Sequence, residues 1–276
     1  MGVVRTDKWL SAYIYKWNKA RTIEEKVECQ REVIIQPLND LFSTTDILGL
    51  HQYLLQLGLF HPEQTIDIEY EKWQKKVPWL IVQKQFNKLK NKWNGPDVKI
   101  YILPLTDQNR FLEVELGAKT GLTIEKGILL FIRSYTTTED LLALITHEYH
   151  HACRLAATKQ TEDEMVLLES MVMEGLAEKA VEEEMGALAC ATWTSRYDNS
   201  WNVDWYNHWI KPNLRVRGRQ KHLPYLYGSE MHGIPLWLGY YIGYKMVNSA
   251  TSHTDTTNNL LHIPAETILE RSNFRR

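Results

Sequence analysis

Residues 138–158 read TEDLLALITHEYHHACRLAAT, and the interpretation of the whole chain depends on this stretch. The threonines at 136–138 can cap the start of a helix, and Glu139 and Asp140 place negative charge in its first turn, where the helix dipole favours it. The residues just before the histidines, 141–145, are mostly leucine and isoleucine, so we expect this part of the stretch to be buried. We therefore predict one helix over residues 138–158.

Within this helix, His147 and His151 are four residues apart and lie on the same face, so both imidazoles can reach one metal ion. Glu148 lies about 100° further round the helix and flanks that ion. From there it can take a proton from a water molecule that the metal activates. This H-E-x-x-H spacing predicts a zinc site with a glutamate general base.

The alternative interpretation of the motif is a helix whose polar residues face solvent. Its surroundings argue against this, because they are largely apolar: Ile145, Ala152, Leu155 and Ala156. Polar groups in such a setting need partners, which favours the metal. His150 is predicted to be structural or to support a ligand, because His151 is better placed to pair with His147.

A catalytic zinc site usually has three protein ligands and one position for water. No third histidine follows the motif at the spacing of about eleven residues, where the chain reads Thr158-Lys159-Gln160. The next predicted helix, 162–185, offers carboxylates instead. Glu174 lies in a segment with almost no other charge, and an isolated buried carboxylate requires a cation. We predict Glu174 as the third ligand and rank Glu169 second.

The residues after Glu174 support this prediction. Glycine inside a helix costs about 1 kcal/mol relative to alanine, so we expect Gly175 to pack closely against the H-E-x-x-H helix. Glu178 lies one turn beyond Glu174 and could accept a hydrogen bond from the ring N–H of a metal-bound histidine. A solvated surface charge is the alternative for Glu178.

Hydrophobic periodicity elsewhere predicts an α+β fold that is predominantly helical, with a small sheet next to the H-E-x-x-H helix. The predicted helices occupy residues 7–60, 69–93 with a break at Pro78, 138–158, 162–185, 235–249 and 264–270. The predicted strands are 98–103, 127–132 and a weaker one at 109–116. We divide the chain into a helical region, 1–95, and a catalytic region, 96–276, and expect the two to pack as one unit.

Composition excludes several other classes of protein. The chain has 276 residues and a net charge of −2, and its one basic stretch, 215–221, is best interpreted as a solvated face, so nucleic acid is not an expected partner. Cys29, Cys153 and Cys190 form neither a disulfide framework nor a cysteine zinc site. The start of the chain lacks the apolar core of a signal peptide, and the longest apolar stretch is too short to span a bilayer. We expect a cytoplasmic protein without a membrane span.

Three blocks in the C-terminal half resemble a known family. They are HEYHH at 147–151, EGLAE at 174–178 and GIPLWLGYYIGY at 233–244. The first two together resemble the gluzincin branch of the zincins, and all three in this order resemble the YjaZ-type family of predicted Zn-dependent proteases. The resemblance implies a zincin-like fold, and an edge strand at 127–132 that binds extended substrate backbone.

The motif and the resemblance together predict a zinc metallopeptidase acting on peptide or protein substrates. His147, His151 and Glu174 would hold one Zn²⁺, and Glu148 would be the general base. Because zincins often use a tyrosine or histidine to stabilise the oxyanion, Tyr240 and His232 are candidates for that role. The alternative function is a zinc-binding but catalytically inactive adaptor. Oligomeric state and cleavage specificity are left open.

Overall fold

The structure is a computed structural model that describes residues 2–251 and 255–275, and it is predominantly helical with one small sheet. This confirms the predicted α+β class. The chain divides into two compact units, Met1–Ala152 and Cys153–Arg276, and the boundary lies inside one continuous helix. The predicted division after residue 95, and the packing of the two regions as one unit, stay predictions.

The helices of the first unit are α1 (Thr6–Trp17), α2 (Ile23–Gln30), α3 (Asn39–Phe42), α4 (Ile47–Leu57), α5 (Asp67–Lys76), α6 (Pro78–Trp93) and α7 (Arg110–Glu115). Helix α8 (Thr138–Thr158) crosses the boundary. The helices of the second unit are α9 (Leu167–Met185), α10 (Val203–Trp205), α11 (Leu223–Tyr227), α12 (Leu238–Ala250), α13 (Thr257–Leu260) and α14 (Ala265–Arg271). No helix in the part of the chain described here is long and apolar enough to cross a membrane.

Helices α5 and α6 meet at the predicted break. Val77 adopts a left-handed conformation with φ of 52°, and Pro78 is the first residue of α6. Proline suits this position because its missing N–H would have no partner inside the helix. Helix α8 has the bounds predicted from the sequence. Its first turn is capped by Thr137, whose hydroxyl accepts a hydrogen bond from the Asp140 N–H.

The sheet has the order β1-β3-β2, in which β1 is Lys99–Pro104, β2 is Lys119–Ile124 and β3 is Gly127–Ile132. Strand β3 pairs in parallel with β1 and antiparallel with β2. Every residue of β3 is buried, as expected of a central strand. The expectation that 127–132 is an edge strand is therefore wrong, because both of its edges already carry hydrogen bonds.

The predicted strand at 109–116 is also wrong. Helix α7 occupies Arg110–Glu115, and Asn109 caps it by accepting a hydrogen bond from the Leu112 N–H at 3.2 Å. So short a segment has no periodicity that separates helix from strand, and the asparagine cap favours the helix. The third strand is β2, which the sequence analysis left unassigned.

Helices α9 and α12 pack unusually closely at two glycines. A Cβ atom on Gly175 would overlap the carbonyl oxygen of Gly243, and one on Gly243 would overlap the carbonyl oxygen of Met171. The predicted reason for Gly175, close packing against the H-E-x-x-H helix, is wrong, because the backbone that excludes a side chain there belongs to α12. This contact places α9, which carries Glu174, directly on the buried helix α12.

Replacing Gly175 by alanine tests this contact. The protein becomes more stable if the added methyl group has space and less stable if it overlaps the Gly243 backbone. In open space the substitution would stabilise the helix by about 1 kcal/mol. Overlap with the Gly243 backbone should instead destabilise the protein by about 1–3 kcal/mol, which lowers Tm by about 2–4 °C for each kcal/mol. Thermal unfolding followed by circular dichroism measures the change. An unchanged or higher Tm would contradict the close packing.

Candidate metal centre

Helix α8 carries His147 and His151 one turn apart on the same side, and Glu148 follows His147 about 100° further round. The imidazole rings of His147 and His151 lie 4.5 Å apart between centroids, in an edge-to-face arrangement. Glu148 and His151 are buried, and His147 is half-buried. The predicted i, i+4 geometry therefore brings both rings to one place.

Strand β2 holds the carboxylate of Glu148. The Thr123 hydroxyl donates a hydrogen bond to Glu148 Oε2 at 2.6 Å. Any side chain at Gly121 would overlap the same carboxylate. Gly121 and Thr123 are two residues apart and so face the same side of the strand. Sequence analysis missed both, although the pattern Thr-Gly-Leu-Thr within a strand would have placed them on one face.

Aromatic residues anchor the α8 motif to α6. The ring of Tyr149 stacks on Trp93 with centroids 5.9 Å apart, and its hydroxyl donates a hydrogen bond to the Pro96 carbonyl at 3.0 Å. His150 is fully buried, with its ring edge-to-face on Trp93 at 5.3 Å. This position agrees with the structural role predicted for His150.

Helix α9 buries Glu174, which lies in a polar environment within the second unit. Burial and the negative charge of Glu174 raise the pKa of Tyr240 well above its ordinary value. Burial alone would lower the pKa of Arg219, but the charges of Glu174 and Glu162 raise it. Tyr240 also donates a hydrogen bond to the Tyr227 hydroxyl at 3.0 Å. Sequence analysis did not single out Arg219 or Tyr227, because their proximity to Glu174 depends on tertiary structure.

Glu169, the second-ranked ligand, forms a buried ion pair instead. Arg154 donates to both of its carboxylate oxygens, with N–O distances of 2.7 and 2.9 Å. The remaining guanidinium nitrogen of Arg154 donates to the carbonyl oxygens of Leu260, Leu261 and Ile263. A carboxylate whose two oxygens are both held by a guanidinium is poorly suited to bind a metal, so the structure favours Glu174 over Glu169.

The other two predicted residues lie in the second unit. The carboxylate of Glu178 is buried and accepts a hydrogen bond from the Ala191 N–H at 2.8 Å. His232 is exposed on the short helical turn 230–232, where its Nδ1 lies 2.9 Å from the Ser229 hydroxyl. The roles predicted for Glu178 and His232 stay predictions.

The predicted ligand trio comes together in the structure. One ring nitrogen each from His147 and His151 and one carboxylate oxygen of Glu174 all lie within 4.8 Å of one another. Ligand atoms around a tetrahedral zinc ion are about 3.4 Å apart, because Zn–N and Zn–O bonds are about 2.0–2.2 Å long. Two imidazoles and a carboxylate at this spacing fit a zinc ion after small side-chain movements.

Comparison with known proteins identifies the family of this chain. Residues 78–270 match the family described as predicted Zn-dependent protease (DUF2268). The chain belongs to this family. It is 38% identical to "Uncharacterized protein YjaZ" of Bacillus subtilis (strain 168) over 68% of this chain and 72% of that protein. It is 25% identical to "Uncharacterized protein YjfC" of the same organism, over 47% of this chain and 46% of that protein. No solved structure shows a significant match.

The part of the chain that matches the family includes the candidate site. The match covers α8, α9 and α12, which carry the H-E-x-x-H motif, Glu174 and the close glycine contact. The predominantly helical fold with a small sheet is zincin-like, as the resemblance implied. The family description and the His-His-Glu cluster both suggest zinc as the metal.

A matched pair of isosteric substitutions separates the two candidate carboxylate ligands. Glu174→Gln should weaken zinc affinity by more than the roughly 10–100-fold lost when only a supporting group is removed. Glu169→Gln should leave zinc content unchanged, but should destabilise the fold by about 3–5 kcal/mol, because it leaves the buried Arg154 charge without its partner. Zinc per folded molecule after dialysis, and urea unfolding, measure the two effects. Loss of zinc in Glu169→Gln alone would reverse the assignment.

Proposed function

We propose that this protein is a zinc-dependent metallopeptidase in which His147, His151 and Glu174 hold one Zn²⁺ and Glu148 is the general base. The single observation that carries the proposal is the His-His-Glu cluster built on the H-E-x-x-H helix. The family description supports the reaction class.

Bound zinc would supply Lewis acidity and lower the pKa of a coordinated water molecule. Glu148 would accept the proton of the attacking water at a carboxylate oxygen and pass it to the nitrogen of the leaving amine. The hydrogen bond from Thr123 holds one oxygen of that carboxylate, and the missing side chain at Gly121 makes room for it. These two residues of β2 thereby position the base.

The substrate backbone is proposed to lie along β2. This strand is at the edge of the sheet, and no other strand of the described residues pairs with its outer side. The outer side of β1, by contrast, exchanges backbone hydrogen bonds with Gly2 and Val4. An extended peptide could add to β2 by main-chain hydrogen bonds. Because β2 also holds Glu148, such a peptide would be aligned with the general base.

Tyr240 has better support than His232 as the group that stabilises the oxyanion. Tyr240 is buried and interacts electrostatically with Glu174, and its hydroxyl would turn from Tyr227 to donate a hydrogen bond to the oxyanion. His232 is exposed and remains the second candidate. The alternative of an inactive adaptor is less favoured, since structural zinc sites usually have four protein ligands and this cluster has three among the residues that the structure describes.

We further propose that the protein acts on peptide or protein substrates in the cytoplasm. Cys29, Cys153 and Cys190 are free thiols, the form that a reducing compartment maintains.

The variant Glu148→Gln tests the proposed reaction. It preserves the size of the side chain but removes the base, so peptide hydrolysis should fall by roughly 10²–10⁴-fold while zinc content stays stoichiometric. Cleavage of a peptide library by mass spectrometry, together with metal analysis, measures both. Wild-type protein that carries zinc and hydrolyses no peptide, or a Gln variant as active as wild type, would refute the mechanism.

Thr123→Val tests the positioning of the base. Valine has the shape of threonine but cannot donate to the Glu148 carboxylate, and loss of a hydrogen bond to a charged group should lower kcat/KM by roughly tenfold or more. Zinc content should not change. Thr123→Ser should restore activity, because it keeps the hydroxyl.

Thr120→Val is the matched control for Thr123→Val, since Thr120 lies on the same strand but faces the other side. If kcat/KM falls equally in the two valine variants, the cause is destabilisation of β2 and not the loss of the hydrogen bond to Glu148.

A further inference from the structure

The second unit contains an open cleft of about 760 Å³ that the proposed reaction does not use. Its walls come from the start of α9, the segment 211–217 and helix α14. Lys211, Arg215 and Arg217 line it together with one acidic residue, Glu266. The aliphatic side chains that line it include Leu168 and Leu214.

Backbone hydrogen bonds attach the segment that carries the two arginines to the start of α9. The N–H of Leu168 donates to the Leu214 carbonyl at 3.0 Å, and the N–H of Leu167 donates to the Val216 carbonyl at 2.9 Å. Arg217 forms an antiparallel bridge with Val166. Just before this bridge, a turn places Arg215, and the Val216 N–H closes that turn on the Asn213 carbonyl at 2.9 Å. Arg215, in the turn, and Arg217, at the bridge, both line the cleft.

The cleft has an excess of positive charge. Within the described ranges, 2–251 and 255–275, Lys211, Arg215 and Arg217 form no ion pair, whereas the adjacent Arg219 lies 3.8 Å from Glu162. A concave surface lined by one sign of charge focuses the electric field and concentrates ligands of the opposite sign. The N-terminal end of α9, a helix of 19 residues, adds the positive end of its dipole.

The size of the cleft and the residues that line it restrict the kind of anion that it can bind. The cleft is within the size range of sites that hold molecules much larger than a single phosphate or carboxylate group. Its aliphatic wall includes the half-buried Leu214 and Leu269, and suits an apolar side chain next to the charge. A short peptide segment with acidic and aliphatic residues meets both conditions.

We propose that this cleft binds an acidic segment of the protein substrate and so contributes to substrate selection, an inference that rests on the proposed peptidase function. Helix α9 leads from the cleft to the candidate centre, and Leu168 and Glu174 are separated by about 9 Å along its axis at 1.5 Å per residue. An extended peptide advances about 3.3 Å per residue. The acidic residues of a substrate therefore lie at least about three residues from the bond that is cleaved.

Binding is measured directly in the Glu148→Gln protein, so that cleavage does not interfere. Fluorescently labelled peptides of the same length carry either Glu-Leu-Glu or the isosteric Gln-Leu-Gln. Fluorescence anisotropy should show roughly tenfold tighter binding of the acidic peptide at low salt, and the preference should shrink as salt screens the charges. Excess inorganic phosphate should compete only weakly.

Single substitutions assign that preference to the cleft. Arg215→Gln and Arg217→Gln should each weaken acidic-peptide binding by roughly fivefold, and Glu266→Gln should strengthen it. Lys221→Gln is the matched control, since Lys221 belongs to the same basic stretch but does not line the cleft. Thermal unfolding of each variant verifies that the fold is intact.

Three results would overturn the proposal. They are equal binding of the two peptides, equal effects of Arg217→Gln and Lys221→Gln, and Arg217-dependent binding of phosphatidylserine vesicles without binding of the acidic peptide. Wild-type cleavage assays separate this proposal from the peptidase function. Hydrolysis without acidic preference refutes the cleft alone, whereas charge-specific binding without hydrolysis of any peptide refutes the peptidase.

Discussion

A carboxylate removed from water must have a partner, and this constraint governs helices α8 and α9, which bury Glu148, Glu169, Glu174 and Glu178. Each is satisfied differently. Glu169 has a guanidinium, Glu148 has the Thr123 hydroxyl and Glu178 has a backbone N–H. Glu174 lies with two imidazoles, an arrangement that a divalent cation would complete. Four similar residues therefore have different roles because their partners differ.

The ion pair between Arg154 and Glu169 connects the start of α9 to the chain near its end. Arg154 bridges the carboxylate to three backbone carbonyls at 260, 261 and 263, so one buried side chain holds two distant parts of the sequence together. Close contact between Gly175 and Gly243 then sets α9 directly against α12. Together, these interactions hold Glu174 on a rigid element, as precise metal binding requires.

Local sequence predicted α8 and the spacing of its ligands because both depend on residues within one helix. Threonine caps, acidic residues in the first turn and the i, i+4 histidines all act over a few residues. The break before α6 was predictable for the same reason, since Pro78 acts on its immediate neighbours. Strand β2 was not predicted, so the contacts of Thr123 and Gly121 with Glu148 could not be predicted either.

The sequence by itself determined the helix with its two histidines and Glu148 and the predominantly helical class, and it led to the proposal that the third ligand is a carboxylate on α9. Only the tertiary structure separates Glu174, the proposed ligand, from Glu169, because both lie on the same helix and Glu169 is paired with Arg154. It also decided that β3 is central, that Gly175 faces α12 and that Arg215 and Arg217 share a cleft. These features depend on contacts between residues far apart in the chain, and local propensity contains no information about such contacts.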